Sequence, residues 1–345
     1  MSKWYHTAGE QGDVVISTRI RLARNLRTYP FPCKMSAAQQ KEALETVKSA
    51  VLQCGALKEL ELSYIDMEKL SQIDAVSLVE RHVISPEFAS SRQGRGLLLT
   101  KDESVSIMLN EEDHLRIQVM RQGFSLEEAY ALAAKIDAAL DEVLSFAFDD
   151  KLGYLTQCPT NLGTGMRASL MLHLPAIQES GAVQRIASNL NKIGLAIRGI
   201  YGEGTEPKGA VYQLSNQVTL GLSERAAIDN LKDIAAQLIQ QERSLREEIV
   251  SGDEYQDVIW RSLGILQNAR LLTNEEFMKL ISNLRLGISA GIIGNINLDT
   301  VNSLMIEAQP ATLMERAGKE LSISERNKYR AAVVRERLGE TQRQS

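Results

Sequence analysis

Cysteine is scarce: Cys33, Cys54 and Cys158 are the chain's three, widely spaced and odd in number. That pattern indicates neither a disulfide framework nor a zinc site and fits a reducing, cytoplasmic setting. Long apolar runs are missing too. Nothing in the sequence is long and apolar enough to span a bilayer, and the opening M-S-K-W-Y-H-T-A-G-E-Q-G-D lacks the apolar core of a signal peptide. Positive charge is not in excess. The formal net charge of -5 argues against a general nucleic-acid binder, whose phosphate contacts need a basic surface. Histidines number four, and no internal repeat or low-complexity tract breaks the chain.

What remains is ordinary globular composition, 44% apolar and 24% charged, in 345 residues, enough for two domains. Residues 13–22, D-V-V-I-S-T-R-I-R-L, read as a strand. Period-two alternation puts Ile16, Thr18, Ile20 and Leu22 on one face and Ser17, Arg19 and Arg21 on the other. Two arginines so placed face either solvent or an anion. Residues 35–54 read as a helix opened by Ser36 with Gln39, the spacing of a capping box, with Leu44, Val47 and Val51 as packing positions. Residues 60–100 read as short strands and turns around V-E-R-H-V-I-S-P, where His82 serves either structure or chemistry.

Residues 104–120 read as two strands joined by a polar turn carrying Glu111, Glu112, Asp113 and His114, with Arg116 on the second strand. Residues 125–146 form the next helix, with a Ser125/Glu128 capping box and a stripe of Leu132, Ile136, Leu140 and Val143. Then comes Q-C-P-T-N-L-G-T-G-M-R-A-S-L-M, residues 157–171. Gly163 and Gly165 permit positive φ and close approach of a ligand, and Arg167 offers a fork of donors to phosphate. No G-K-[ST] follows, so this is not a P-loop; a hairpin connection is the other reading.

A helix over residues 176–191 is followed by L-A-I-R-G-I-Y-G-E-G-T-E-P, a short strand with an arginine and a loop holding Glu203. Residues 211–222 read as a strand, and 223–250 as one long helix with Ile228, Leu231, Ala235, Leu238 and Leu245 facing inward. Beyond Gly252 only helices are expected: 253–267, 273–286 with a Thr273/Glu276 capping box, 298–308 and 322–338. The expected domains are 13–250 and 251–345.

Five arginines, Arg19, Arg21, Arg116, Arg167 and Arg198, each stand on a strand or beside a glycine-rich loop. Such a set matches the charge of a nucleoside triphosphate, whose phosphoryl transfer is catalysed mostly by positioning and electrostatics. Glu112 and Glu203 suit an acceptor that carries positive charge.

S-T-R-I-R (17–21), N-E-E-D-H-L-R (110–116), C-P-T-N-L-G-T-G-M-R (158–167) and R-G-I-Y-G-E (198–203) resemble the signature segments of the ATP:guanidino phosphotransferases, the phosphagen kinases, in that family's order. Creatine and arginine kinases carry a small helical domain ahead of the S-x-R-x-R strand. Here the strand begins almost at the N-terminus and a helical region follows the catalytic one, an arrangement similar to the bacterial protein-arginine kinase branch. Tyr201 stands where arginine kinases have a second arginine in the last motif. The resemblance implies an α+β fold: a catalytic domain with a central, mostly antiparallel sheet flanked by helices, then a smaller all-helical C-terminal domain.

It also implies that Ser17, Thr18, Arg19, Ile20, Arg21, His82, Arg116, Arg167, Ala168, Ser169, Leu170, Met171, Arg198, Gly199, Ile200, Tyr201, Gly202 and Glu203 bind ATP, with magnesium bridging phosphate oxygens. The acceptor would be a guanidinium, whose pKa is about 12.5 or higher. No side chain holds a useful fraction of it deprotonated at neutral pH. Glu112 is therefore assigned as the base acting while the N–P bond forms, and Glu203 as the clamp that orients the guanidinium. Cys158 is either a thiolate beside the substrate or a small buried residue.

R-N-K-Y-R-A, residues 326–331, resembles the R-D-x-x-R-A segment through which relatives of this branch bind phosphoarginine away from the active site, through Arg326, Asn327, Arg330 and Ala331. Asn327 replaces the family's aspartate, and the exposed basic face of a helix is the other reading. The implied activity is ATP-dependent phosphorylation of protein arginines. The implied associations are a homodimer, a zinc-binding activator of the McsA type, a heat-shock repressor among the substrates and delivery to a Clp ATPase, with no direct nucleic-acid or membrane contact. Two rivals are a kinase of free arginine or another small guanidino compound, and a catalytically silent adaptor that binds phosphoarginine.

Overall fold

The computed structural model describes residues 2–200 and 207–344. Ten strands are formed among them: β1 (Val15–Arg24), β2 (Ser63–Asp66), β3 (Gly96–Leu99), β4 (Val105–Leu109), β5 (Leu115–Gln122), β6 (Phe148–Asp149), β7 (Gly153–Tyr154), β8 (Met166–His173), β9 (Leu195–Gly199) and β10 (Val211–Asn216). β6 and β7 make a small hairpin, and the other eight make one sheet in the order β2-β3-β4-β5-β1-β8-β10-β9, antiparallel at every pairing. The first strand of the chain is thus an inner one. β1 lies between β5 and β8, with Arg21 opposite both Gln118 and Arg167.

The helices are α1 (Ala37–Gln53), α2 (Gln72–Glu80), α3 (Pro86–Ser90), α4 (Leu126–Leu144), α5 (Pro175–Glu179), α6 (Val183–Lys192), α7 (Glu224–Val250), α8 (Asp253–Asn268), α9 (Asn274–Ser289), α10 (Leu298–Glu307), α11 (Pro310–Ala317) and α12 (Ile323–Gln344). Period-two alternation sorts the sheet's side chains between two faces. On one face Ile20, Leu22, Ile107, Ile117, Leu170 and Leu214 join the apolar sides of α1, α4 and α7 in a single core. The other face is covered only in part. Towards β3 and β4, Leu97, Leu99 and Met108 pack under α2 and α3 through Leu78 and Phe88. Towards β10, Ile16, Met171 and Val211 pack under the C-terminal helices. Between the two caps the middle of the sheet stays open, and the arginines of β1, β5 and β8 stand there.

Several local expectations change. Ile16 does not share a face with Ile20 and Leu22, because a β-bulge between Val15 and Ser17 turns it to the C-terminal helices. Residues 60–100 hold two helices besides the strands. Ser71 and Ser85 cap them, each hydroxyl accepting the backbone N–H three residues on. The Ser36/Gln39 capping box forms, but the one at Ser125 does not: its hydroxyl donates to the Gln122 carbonyl instead. Along α4 the buried line is Ala129, Ala133, Ile136 and Leu140, while Val143 is 59% exposed. The helix expected over 176–191 breaks into α5 and α6 at Gly181, whose φ is +68°. α11 was not anticipated from the sequence.

The helices after Gly252 do not keep to themselves. The Arg285 guanidinium of α9 donates to the Gly12 and Asp13 carbonyls at 2.6 and 2.8 Å, just ahead of β1. Arg246 of α7 donates to the Asp13 and His173 carbonyls. Both arginines are nearly or wholly buried, so each satisfies backbone groups that water cannot reach.

Candidate active site

The open middle of the sheet contains two adjoining cavities that share Arg21 and Arg116. One, of about 220 Å³, is lined by Arg21, Glu112, Arg116, Cys158, Asn161 and Arg167. The other, of about 420 Å³, is lined by Arg19, Arg21, Arg116, His82, Glu80 and Ile200 among others. Strand register explains the gathering: Arg21 faces Arg167 across β1 and β8, and Ala23 faces Arg116 across β1 and β5. Like charges placed opposite each other on a sheet repel.

The electrostatic cost is visible at three of these guanidinium groups. Burial, then Arg116, pulls Arg19 down to about 10. Arg21 lies well below its ordinary value, first through burial and then through Arg19, Arg116 and Arg167. Its Nε is buried without a hydrogen-bond partner. Arg167 is also lowered by burial, with Cys158 working in the opposite direction. A set of cations held together against burial and mutual repulsion fits an anionic group that completes it.

The acidic turn between β4 and β5 opposes this charge. Asn110 makes the turn with φ at +59°, and its side chain donates to the Gln40 and Gly94 carbonyls. Arg116 Nη1 pairs with Glu111 Oε2 at 2.7 Å and Nη2 with Glu112 Oε2 at 3.2 Å. The same Glu112 oxygen accepts from Asn161 Nδ2 at 3.4 Å, and Asn161 Oδ1 accepts from Arg167 Nε at 3.0 Å. Glu112 therefore stands between two arginines with a third of its side chain, 35%, still exposed to the cavity. Glu111 and Asp113 are buried, so the turn is not the solvated one its three carboxylates suggest.

Asp113 ties the turn to the cysteine loop. Its Oδ1 accepts from Asn25 Nδ2 at 2.6 Å and from the Gln157 N–H at 2.8 Å. His114 fixes the other end, with Nδ1 accepting from the Leu26 N–H at 3.0 Å and Nε2 3.1 Å from the Pro30 carbonyl. That pairing calls for a neutral ring protonated on Nε2, and burial holds His114 down at about 4. In the cysteine loop, Cys158 Sγ lies 3.1 Å from Thr160 Oγ1, which accepts from Arg167 Nη2 at 3.1 Å. Gly163 has φ at +109°, and a Cβ there would run into the Thr219 carbonyl. Arg24, fully buried, anchors the loop by donating to the Thr164 carbonyl while it grips Asp137 with two 2.8 Å bonds and stacks on Tyr154.

Arg19, Arg21, His82, Arg116, Arg167, Glu112 and Cys158 are thus brought together. His82, at φ +60°, shares the larger cavity with Arg19, and burial followed by that arginine holds it down at about 3. Ser169 receives Arg19 Nε at 3.3 Å. Ile20, Ala168 and Leu170 point into the core on the far face, Thr18 is spent on the Gly123 carbonyl and the Ser125 N–H, and Met171 packs under the C-terminal helices. Ser17 is buried on β1. Arg198 is exposed on the edge strand β9, opposite Gln213, whose side chain accepts from Arg19. Gly199 closes that strand and Ile200 lines the larger cavity, while Tyr201, Gly202 and Glu203 lie outside the described residues.

A family model described as ATP:guanido phosphotransferase, C-terminal catalytic domain, matches residues 42–245.

This chain belongs to the ATP:guanido phosphotransferase family.

A second model, the protein-arginine kinase McsB C-terminal domain, matches residues 252–345. Curated relatives include the protein-arginine kinase of Brevibacillus brevis, 44% identical over 98% of this chain and 95% of that one. Another is the protein-arginine kinase of Syntrophomonas wolfei, 48% identical over 95% of this chain and 92% of that one. Among solved structures, lombricine kinase superposes with a TM-score of 0.61 at 26% identity, covering 70% of this chain and 69% of that one. The duplicated taurocyamine kinase of Schistosoma mansoni, bound to transition-state analog components, also gives 0.61, at 30% identity over 69% of this chain. This chain spans only about a third of that duplicated protein, 34%. The chain is accordingly a phosphotransferase with the phosphagen-kinase fold.

Within this guanido phosphotransferase, the sequence did not single out Asn161, Glu111 or Gln213. Asn161 sits inside the C-P-T-N segment, but its bridge from Glu112 to Arg167 joins residues 49 and 6 positions away. In the C-terminal segment Arg330 is buried, donating to the Ala308 and Leu272 carbonyls at 2.9 Å and to Asn327 Oδ1 at 3.1 Å. Asn327 thus orients Arg330. Arg326 is half-buried beside it and Ala331 belongs to the core. No helix of the described residues is long and apolar enough to cross a membrane.

Proposed function

We propose that the chain transfers the γ-phosphoryl group of ATP to arginine side chains of proteins. The observation that carries this reading is Glu112, a partly exposed carboxylate held by Arg116 and Asn161 at the edge of an arginine-lined cavity. One cavity then suits a polyanionic donor and a cationic acceptor side by side. Arg19, Arg21, Arg116 and Arg167 hold the phosphates, and Arg198 joins them from β9. Among the described residues no cluster of His, Cys, Asp or Glu could hold a metal ion, and Arg116 already engages Glu112 of the smaller cavity and the neighbouring Glu111, so magnesium would come with the nucleotide rather than from a site on the protein. When bound, that ion neutralises charge on the nucleotide.

In the transfer, a guanidinium nitrogen attacks the γ-phosphorus, the N–P bond forms, and the bond to the bridging oxygen breaks to release ADP. Glu112 accepts the proton as the N–P bond forms, because a group with a pKa of about 12.5 or more gives it up only then. The arginines stabilise charge spreading over the phosphoryl oxygens. Cys158, next to Arg167 in the same cavity, flanks the acceptor, and Glu203, which lies outside the described residues, would clamp the guanidinium.

The protein nature of the acceptor is supported by relatives named protein-arginine kinases, similar along nearly the whole chain. On this reading residues 13–250 form the catalytic domain. Residues 251–345 form a partner-binding domain in which Arg326, Asn327, Arg330 and Ala331 meet phosphoarginine. Marked clients, a heat-shock repressor among them, would pass to a Clp ATPase. A McsA-type activator, a homodimer and a cytoplasmic site of action complete the proposal.

The test is incubation of the purified chain with Mg-ATP and either casein or free arginine, followed by mass spectrometry mild enough to keep the acid-labile N–P bond. Phosphoarginine on casein alone, lost in Glu112→Ala, is the expected result. Phosphorylated free arginine at comparable efficiency would move the chain to the small-molecule kinases.

A further inference from the structure

The two caps over the sheet meet at one joint, and the joint adjoins the larger cavity. α2 ends on Glu80, followed by Arg81 and His82. Glu80 Oε1 accepts from the Ala311 N–H at 2.9 Å, and its Oε2 accepts from the Thr312 N–H at 2.7 Å and the Thr312 hydroxyl at 2.8 Å. These are first-turn groups of α11, which an α-helix leaves without partners of its own. α11 has no cap from its own chain neighbour, since the Gln309 side chain donates to the Met305 carbonyl instead. Its N-terminal cap is supplied by α2, and a carboxylate there also answers the positive end of the helix dipole.

Arg81 takes hold of the same helix further along. It pairs with Glu315 of α11 and, through Nε, with Glu103 at 3.2 Å. Ser77, one turn earlier on α2, places its hydroxyl 3.2 Å from Thr312 Oγ1. His82 then turns back with positive φ, its carbonyl accepting from Gln118 Nε2 at 2.8 Å. Three consecutive residues therefore grip the start of α11, grip its later turn, and line the cavity beside Arg19. Glu80 itself also lines that cavity.

We propose that Glu80 is a positioning residue for the nucleotide: by capping α11 it fixes the end of α2, and with it the His82 wall of the cavity. The inference rests on the reading that the larger cavity takes ATP. A helix of the C-terminal layer thereby sets how well the catalytic layer grips its donor, although no residue of α11 lines the cavity.

The test is titration of the full-length chain with Mg-ATP in a calorimeter, together with steady-state phosphotransfer to casein, for Glu80→Gln, Thr312→Val, Thr312→Ser and Arg19→Ala. Glu80→Gln turns one acceptor into a donor facing a helix N–H. It is expected to weaken Mg-ATP binding about fivefold to tenfold and raise KM for ATP in parallel, with kcat at saturating ATP within about twofold of the parent. Thr312→Val loses one of three bonds and should move the same way by a smaller factor, whereas Thr312→Ser keeps all three and should bind like the parent. Unchanged ATP affinity in Glu80→Gln, or KM values for ATP and casein rising together, would overturn the proposal. If Glu80→Gln does not fold, equal affinities of Thr312→Val and Thr312→Ser would overturn it. Unaltered affinity in Arg19→Ala would instead refute the nucleotide assignment of the cavity itself, a failure distinguishable from that of the joint.

Discussion

Arg21 shows how much of this site works against the stability of the fold. Its guanidinium lies among Arg19, Arg116 and Arg167, with a buried Nε that no protein group satisfies. Removing such a charge relieves repulsion and desolvation, whereas filling its place with an apolar chain keeps the packing. Arg21→Met is therefore expected to raise stability by about 1 kcal/mol in urea denaturation and to weaken Mg-ATP binding at least tenfold. Glu112→Gln should do something different: ATP affinity within about threefold of the parent, but kcat for casein lower by roughly 10² to 10⁴. A large loss of ATP binding in Glu112→Gln would remove it from the role of base. The arginines were legible in the sequence because alternation on a strand announces which face each one takes. Their partners were not, since Asn161 and Gln213 reach the site by contacts between distant segments that leave no local pattern.

The acidic turn and the cysteine loop depend on backbone shapes that specific residues allow. Gly163→Ala would place a methyl group against the Thr219 carbonyl at a φ of +109°. It should cost about 2–4 kcal/mol, readable as a lower urea midpoint, together with loss of activity. His114 makes the turn sensitive to acid. An unfolded histidine titrates near 6.5, and burial brings His114 down to about 4, so below pH 6.5 the unfolded chain binds a proton that the native one refuses. Its contribution to stability is complete above pH 6.5 and falls by about 1.4 kcal/mol per pH unit towards pH 4. His82 and His173, also depressed mainly by burial, act in the same direction. Urea midpoints at pH 7.5 and 5.5 should differ less in His114→Asn than in the parent; an equal difference would show that the ring titrates freely. The strands around these loops were readable from period-two alternation and the long helices from capping and spacing. α2 and α3 were not, because nine and five residues give too few turns to outweigh their mixed composition.

Taken together, the chain packs as one body around one sheet with unequal coverage. The change to helices alone after Gly252 could be read from the sequence, but the bonds that tie those helices to the start of the chain could not. Residues 12 and 13 are bonded to Arg285, more than 270 positions away. Ending the chain at Ser251 would uncover Ile16, Met171 and Val211, each worth about 1.5–3 kcal/mol when buried, and would strand the Gly12 carbonyl. The shortened protein is expected to lose its near-ultraviolet circular dichroism and a cooperative urea transition. A sharp transition at the parent's midpoint would show that residues 1–251 stand alone.

The inner position of β1 has a consequence for how the protein is made. β1 leaves the ribosome first, yet both of its neighbours come much later: β5 begins at Leu115 and β8 at Met166. At roughly 5–20 residues per second, about 100 residues of further synthesis leave both edges of β1 open for some 5–20 seconds, and the second edge for longer. A nascent chain in that interval shows a strand with one apolar face, Ile20 and Leu22, and unpaired backbone to anything nearby. Slow translation or a crowded polysome would favour pairing between two copies of β1, so the yield of soluble protein should depend on the rate of synthesis more than on the stability of the finished fold.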